Sequence, residues 1–139
     1  MFAKQLSVFI ENRQGRLGEV LEVLKKNDVN ILSLSLADTT EYGLLRLIVN
    51  NSLIGKAKLA ESGFSTMLTD VLVVKLKNEA GSLQKLLAIL SSKNINIEYM
   101  YGLSTNEKFA LIVVKPSDLA LAEKVLNENG VETITENEV

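Results

Sequence analysis

Hydrophobic residues recur along the chain with two spacings, one of two residues and one of three to four. Residues 6–10 alternate between apolar and more polar side chains, which predicts a strand. Residues 17–27 carry apolar side chains at steps of three and four, the pattern of an amphipathic helix. Two apolar stretches, 30–37 and 44–49, then flank a turn-prone segment, which indicates a hairpin.

The same series of elements is predicted twice. A helix at 51–62 and a strand at 64–68 complete the first series. The second series comprises a strand from Val71, a helix at 82–93, strands at 96–104 and 108–115, a helix at 117–127 and a strand from Val131. We expect Pro116 to lie just before the last helix, where its missing N–H costs little. No linker separates the two series.

A shift of 66 positions aligns like residues in the two series, as expected of a duplicated unit. The aligned pairs are Asn12/Asn78, Gly15/Gly81, Leu17/Leu83, Asn30/Asn96, Ile31/Ile97, Glu41/Glu107 and Lys58/Lys124. One inserted residue then brings Gly63 onto Gly130. The order β-α-β-β-α-β, occurring twice, predicts an α+β fold of two ferredoxin-like modules, at 1–70 and 71–139. Each module is expected to be an antiparallel sheet with both helices on one face and the third strand between the first two.

The strands are more apolar than one covering layer of helices requires. Residues 109–114 are apolar at every position, whereas a sheet with one solvated face should alternate. We therefore expect a second covered face, packed between the two copies or between two chains, and we expect a homodimer.

Composition narrows the classes of function. Fifteen basic against 17 acidic residues give a net charge of −2, which offers no electrostatic footprint for nucleic acid. The absence of Cys and His removes thiol catalysis, imidazole bases and Cys/His zinc sites. No phosphate-binding G-x-x-x-x-G-K-[ST] loop and no paired-carboxylate motif occurs. We expect no catalysis, no cofactor and no metal.

The chain shows no targeting or membrane-spanning signal. Its apolar runs last about six residues, whereas a membrane span needs about 20, and the N-terminus turns polar at once. We expect a soluble cytoplasmic protein with no membrane association.

The loop after the first strand of each copy is the candidate binding site. Gly15 and Gly81 allow a sharp turn and close approach of the backbone to a ligand. The residues that follow begin a helix, whose free N–H groups attract a carboxylate. Asn12 and Asn78 add both a donor and an acceptor, which suits an α-amino acid head group. The alternative interpretation is that these residues only form a turn and a helix cap.

Residues 10–15, Ile-Glu-Asn-Arg-Gln-Gly, with Val-Asn-Ile at 29–31, resemble the ACT domain, a small regulatory module that binds amino acids. The loop is especially similar to the serine-sensing ACT domain of bacterial phosphoglycerate dehydrogenase, although Gln14 and Ala80 replace the family's usual proline. The whole chain resembles stand-alone tandem ACT proteins. The resemblance implies ligand contacts by Asn12 and Asn30 in copy one and by Asn78 and Asn96 in copy two.

The candidate ligand-binding residues form two equivalent sets, one in each copy. They are Asn12, Arg13, Gln14, Gly15, Arg16, Leu17, Asn30 and Ile31 in the first copy, and Asn78, Glu79, Ala80, Gly81, Ser82, Leu83, Asn96 and Ile97 in the second. The exposed arginines have an alternative role as solvated loop residues.

The two asparagines of one copy are expected at opposite edges of its sheet, about 17 Å apart by strand rise. A small amino acid cannot bridge that distance. We therefore expect Asn12 to face Asn96 and Asn78 to face Asn30, with the ligand at an interface between modules, within one chain or across a dimer.

The predicted function is a non-catalytic amino-acid sensor that acts by itself or on a partner enzyme. The main alternative is a ligand-free dimerisation module of the same fold. RNA binding on this fold needs aromatic residues on the central strands, which here read Leu-Leu-Arg-Leu-Ile-Val and Phe-Ala-Leu-Ile-Val-Val. A metallochaperone of this fold needs Cys-x-x-Cys, and an enzyme would have to rely on Asp, Glu, Lys or Tyr as its base.

Overall fold

A computed structural model describes residues 1–38 and 41–139. The chain forms two compact units. The N-terminal unit is Lys4–Thr69, and the C-terminal unit is Asp70–Val139 together with Met1–Ala3. Thr39 and Thr40, in the middle of the predicted hairpin turn, lie outside the described residues.

The N-terminal unit follows the predicted order of elements. These are β1 (Ala3–Glu11), α1 (Arg16–Lys26), β2 (Ile31–Asp38), β3 (Tyr42–Val49), α2 (Ser52–Glu61) and the start of β4 (Ser65–Lys77). Strand β3 pairs antiparallel with both β1 and β2, and β1 also pairs with β4, so the strand order is β2-β3-β1-β4. The prediction that the third strand lies between the first two is confirmed.

The C-terminal unit repeats this arrangement. After the end of β4 come α3 (Ser82–Ser91), β5 (Ile97–Thr105), β6 (Phe109–Pro116), α4 (Leu119–Glu128), β7 (Glu132–Ile134) and a short 3-10 helix at Glu136–Glu138. Strand β6 pairs antiparallel with β4 and β5, and β7 pairs with β4, so the order is β7-β4-β6-β5. Two ferredoxin-like α+β modules are thus confirmed.

Each unit buries one face of its strands beneath both of its helices. In the N-terminal unit, Val20 and Leu24 of α1 and Leu59 of α2 pack with Leu6 and Leu47 in one core. In the C-terminal unit the corresponding core contains Leu86 and Leu90 of α3, Leu126 of α4, and Leu72 and Val74 of β4. The predicted single helical face therefore holds for each unit.

Two predicted element boundaries are wrong. The strands expected at 64–68 and from Val71 are one continuous strand, β4, because Thr69-Asp70 contains neither Gly nor Pro and the backbone stays extended. Pro116 is the last residue of β6 and pairs with Ile97. The helix that follows begins later, capped by Asp118.

The predicted alignment of the two copies is wrong over its second half. The N–H of Asn12 donates to the carbonyl oxygen of Glu41 (3.0 Å), and the N–H of Asn78 donates to that of Lys108 (2.8 Å). The asparagines are 66 positions apart, but their acceptors are 67 apart. The extra residue therefore precedes Lys108 and does not lie between Lys124 and Gly130 as predicted.

A β-bulge in β5 accounts for the extra residue. The pairing of β5 with β6 shifts register between Gly102 and Ser104, whereas β2 continues in register from Ser33 to Asp38. A bulge opposes two residues to one on the partner strand. The additional residue is Leu103, and its side chain is buried.

Several residues of the N-terminal unit are buried although they are not part of its helix-covered core. Ile48 alternates with the core residues Leu47 and Val49 on β3, yet it is fully buried. On β1 the polar residues Gln5 and Ser7 are buried as well, and Gln5 donates to Ser7 (3.2 Å).

Candidate functional site

Each candidate loop ends at a glycine that the backbone requires. Gly15 and Gly81 precede α1 and α3 with φ of +88° in both cases. A Cβ placed on either glycine would meet nothing within 4 Å. Glycine is therefore needed at these positions because the backbone is left-handed, a conformation that L side chains rarely adopt. A side chain would not be crowded there.

The helices that follow these loops begin without a side-chain cap. The N-cap residue of both α1 and α3 is glycine, which has no side chain to accept a capping hydrogen bond. By contrast, Asn51 caps α2 by accepting from Ile54 N (3.1 Å), and Asp118 caps α4 by accepting from Leu121 N (3.0 Å). The first turns of α1 and α3 thus lack the acceptor that a capping side chain supplies to α2 and α4.

The loop asparagines are held in place by their neighbouring hairpins. In addition to its backbone bond to Lys108, Asn78 donates its side-chain amide to the carbonyl oxygen of Asn106 (2.7 Å). This side-chain bond favours the alternative interpretation from the sequence, in which Asn78 holds the turn. Its oxygen is the group that accepts hydrogen bonds.

The charged residues of the first loop are paired locally. Arg13 donates to Glu11 (2.9 Å), and Arg16 donates to Glu19 (2.5 Å). The guanidinium of Arg16 also lies 4.3 Å from the centroid of the Phe64 ring, and only 17% of its side chain is exposed. Arg16 is thus largely packed against the protein. Arg13 is exposed, as expected of an arginine that is only solvated in the loop.

The candidate residues of both copies occupy equivalent places. Those exposed on the loops and helix starts are Asn12, Arg13, Gln14 and Gly15 in the first copy, and Asn78, Glu79, Ala80, Gly81 and Leu83 in the second. Arg16, Leu17 and Ser82 are half-buried on the first helical turns, and Ile31 and Ile97 are half-buried at the starts of β2 and β5.

Asn30 and Asn96 lie just before β2 and β5, and both are exposed. The N–H of Asn30 donates to Oδ1 of Asn50 (2.8 Å), and the N–H of Asn96 donates to Oγ of Ser117 (3.0 Å). Each asparagine is therefore tied by its backbone to the segment that follows the third strand of its module.

The two asparagines of one unit lie at opposite ends of its sheet. Asn12 bonds to Glu41 just before β3, and Asn30 bonds to Asn50 just after it. From residue 41 to residue 50 there are nine steps, about 30 Å at about 3.3 Å per residue. The separation thus exceeds the 17 Å predicted from the sequence.

The two asparagines also line different clefts. Asn12 lines a cleft of about 90 Å³ with Leu36 and Gly43, and Asn30 lines another of about 330 Å³ with Leu21. Sequence reasoning missed Leu36 and Gly43. Their proximity follows from the pairing of β1 with β3, which places Ile10 opposite Gly43.

The described residues contain no group of three or more His, Cys, Asp or Glu side chains that could hold a metal ion. No helix in this part of the chain is long and apolar enough to cross a membrane.

Comparisons with known proteins agree with this fold. A family model described as an ACT domain pair matches residues 1–139. Among solved structures, the protein BT0572 from Bacteroides thetaiotaomicron shares 39% sequence identity, with 96% of this chain and 92% of that chain covered and a TM-score of 0.92.

Two regulatory subunits of aspartate kinase share the fold at lower identity. The subunit from Thermus thermophilus, in its ligand-free form, is 15% identical, with 90% of this chain and 91% of that chain covered and a TM-score of 0.66. The subunit from Thermus flavus is 16% identical, with 89% and 88% covered and a TM-score of 0.59. No curated protein matches this chain significantly.

Proposed function

Since the chain belongs to the family of ACT domain pairs, we propose that it is a non-catalytic regulatory protein that binds a free amino acid at its glycine loops. The observation that carries this proposal is the contrast between its helices. In each unit the helix after the glycine loop lacks a side-chain cap, and the other helix has one.

An α-carboxylate is the ligand group that fits the uncapped helix starts. It accepts hydrogen bonds from backbone N–H groups and is favoured by the positive end of the helix dipole. The side-chain oxygens of Asn12 and Asn78 supply acceptors for an α-amino group. The likeness of the first loop to a serine-sensing ACT domain makes serine the first amino acid to test.

A complete site requires a second module. Because Asn12 and Asn30 lie at opposite ends of one sheet, only an asparagine from a different module could contact a ligand bound at Asn12. The proposal therefore keeps the pairings of Asn12 with Asn96 and of Asn78 with Asn30. It also includes a homodimer, a cytoplasmic location and regulation of a partner enzyme.

The testing experiment is a thermal melt with each of the twenty amino acids in turn. A ligand that binds only the folded state stabilises it by about 2.7 kcal/mol at a hundredfold excess over Kd, which raises Tm by about 5–10 °C for a chain of this size. If no amino acid raises Tm, the sensor proposal fails, and the ligand-free dimerisation module becomes the better account.

Variants locate the site once a ligand is found. Asn12→Ala and Asn96→Ala should each weaken binding, and the double variant should lose less than the sum, because the two residues share one ligand. Asn127→Ala, an exposed asparagine at the end of α4, serves as the control. If the ligand raises the Tm of Asn96→Ala as much as that of the parent, the protein is still a sensor, but the pairing of Asn12 with Asn96 is refuted.

A further inference from the structure

The C-terminal unit contains a cleft between its two helices and the end of β4. The cleft measures about 300 Å³. Its lining includes Ser82 and Lys85 of α3, Lys77 at the end of β4, and Gly130 and Val131 after α4. All of these residues belong to one compact unit.

The corresponding place in the N-terminal unit is filled. Arg16 and Ser82 are equivalent, because each directly follows the glycine that precedes its helix. Phe64 and Val131 are equivalent, because their N–H groups close the same helix ends, on Leu59 (3.0 Å) and Leu126 (2.9 Å).

In copy one, therefore, a guanidinium is stacked on an aromatic ring at 4.3 Å. Copy two has a hydroxyl and an isopropyl group at these positions. The two shorter side chains leave space where the first copy is packed.

The charged residues near these positions also have opposite signs in the two copies. In copy one, Glu11 and Glu19 neutralise Arg13 and Arg16 through ion pairs. The 66-residue shift puts Lys77 at the position of Glu11 and Lys85 at that of Glu19.

Neither lysine has an acidic partner within 4.0 Å in the part of the chain that the structure describes. Glu79, at the position of Arg13, is the one acidic residue in the cleft lining. A third lysine, Lys75, also lines the cleft, but it is engaged elsewhere, 3.8 Å from Glu132 and 4.3 Å from the Phe109 ring centroid. With Lys75 engaged by Glu132, the cleft lining has Lys77 and Lys85 against Glu79, and so a net positive charge.

We propose that the cleft lined by Ser82, Lys77 and Lys85 is a binding site for a small multiply charged anion, one that carries a phosphate group or two carboxylates. Lysine ammonium groups form charge-assisted hydrogen bonds with both kinds of oxygen, and the Ser82 hydroxyl adds a donor. The site is distinct from the Asn12 cleft, and at the equivalent positions of the first copy Arg16 stacks on Phe64. It shares Ser82, the first residue of α3, with the second glycine loop, but Lys77 and Lys85 are not among the residues proposed for the amino-acid site.

The test is isothermal titration of the full chain with inorganic phosphate and, separately, with succinate, at constant ionic strength. We expect saturable binding of one anion per chain. Tighter binding of phosphate would identify a phosphate site, and tighter binding of succinate a dicarboxylate site. Lys85→Gln and Lys77→Gln should each weaken binding about tenfold, the effect of losing one charge-assisted hydrogen bond. Lys93→Gln, an exposed lysine beyond α3, is the matched control and should bind like the parent.

A second variant tests the space itself. Ser82→Leu combined with Val131→Phe fills the space with uncharged side chains, and it should abolish anion binding while the protein still melts cooperatively. If this double variant does not fold, the binding constants of Lys77→Gln and Lys85→Gln test the proposal. Absence of saturable binding of both anions, or an equal loss in Lys93→Gln, would overturn the proposal. A failed amino-acid screen would leave it standing.

Discussion

The side-chain amide of Asn78 donates a 2.7 Å hydrogen bond to the carbonyl oxygen of Asn106, which ties the loop before α3 to the β5–β6 hairpin. The oxygen of the Asn106 side chain in turn accepts from the N–H groups of Lys108 (2.9 Å) and Phe109 (2.8 Å). A residue predicted to bind ligand is thus part of a local network that shapes its own loop.

Asn78→Ala should destabilise the protein even without ligand. Losing this exposed bond should lower the free energy of unfolding by about 0.5–1.5 kcal/mol. Urea denaturation measures the change, with Asn127→Ala as the control that should stay within about 0.5 kcal/mol of the parent. A stable Asn78→Ala variant with weakened amino-acid binding would show that the side chain acts mainly on the ligand.

The glycines of α1 provide a matched pair of substitutions. Gly15→Ala places a Cβ on a residue with φ of +88° and should cost about 1–2 kcal/mol. Gly18→Ala, inside the helix and with no atom within 4 Å of the added Cβ, should stabilise by up to about 1 kcal/mol. Thermal melts of the two variants should therefore move in opposite directions. Equal shifts would show that the loop relaxes and that its left-handed residue is not fixed.

Arg16 and Phe64 should be energetically coupled. Their cation–π contact predicts an interaction energy of about 0.5–1 kcal/mol in a double-mutant cycle with Arg16→Ala and Phe64→Leu. Denaturation of the two single variants and the double variant measures it. Additive effects would mean that the guanidinium and the ring pack independently. The Arg16–Phe64 pair would then be a weaker counterpart of the open cleft at Ser82 and Val131.

The sequence predicts the modules well because the signals for them are local. The alternation at Leu6–Ile10, the helical spacing from Leu17 and the glycines before α1 and α3 each act within a few residues. The continuity of β4 was missed because a break was inferred from the repeat and not from any turn residue at Thr69-Asp70.

Features that depend on pairing between strands were not predictable in this way. The bulge at Leu103 adds one residue to a strand whose neighbours are similar in both copies, so alignment alone cannot place the insertion. The burial of Gln5 and Ser7 depends on what covers the second face of the sheet. The distance between Asn12 and Asn30 follows from the length of β3, which the sequence underestimates.

The last prediction concerns the free edge of the N-terminal unit. Strand β2 ends the strand order of this unit, and its residues Leu34 and Leu36 are 50% and 47% exposed. They lie opposite Leu47 and Leu45, which are fully buried. The apolar layer of the core thus continues onto an edge strand and remains uncovered there, and an edge of this kind is a template for pairing with another chain.

We expect a homodimer through this edge, with a sedimenting mass twice that of the chain. Introducing carboxylates with Leu34→Glu plus Leu36→Glu should raise the dimer dissociation constant at least about tenfold. Each leucine is about half exposed in the single chain, so its burial in the dimer contributes about half of the 1.5–3 kcal/mol of a fully buried side chain. Leu53→Glu is the matched control, since Leu53 is 73% exposed and lies on a helix, α2, and not on β2. Sedimentation over a range of concentrations gives the constants. Dissociation in Leu53→Glu alone would assign the interface to α2, and a monomer in the parent protein would refute the homodimer.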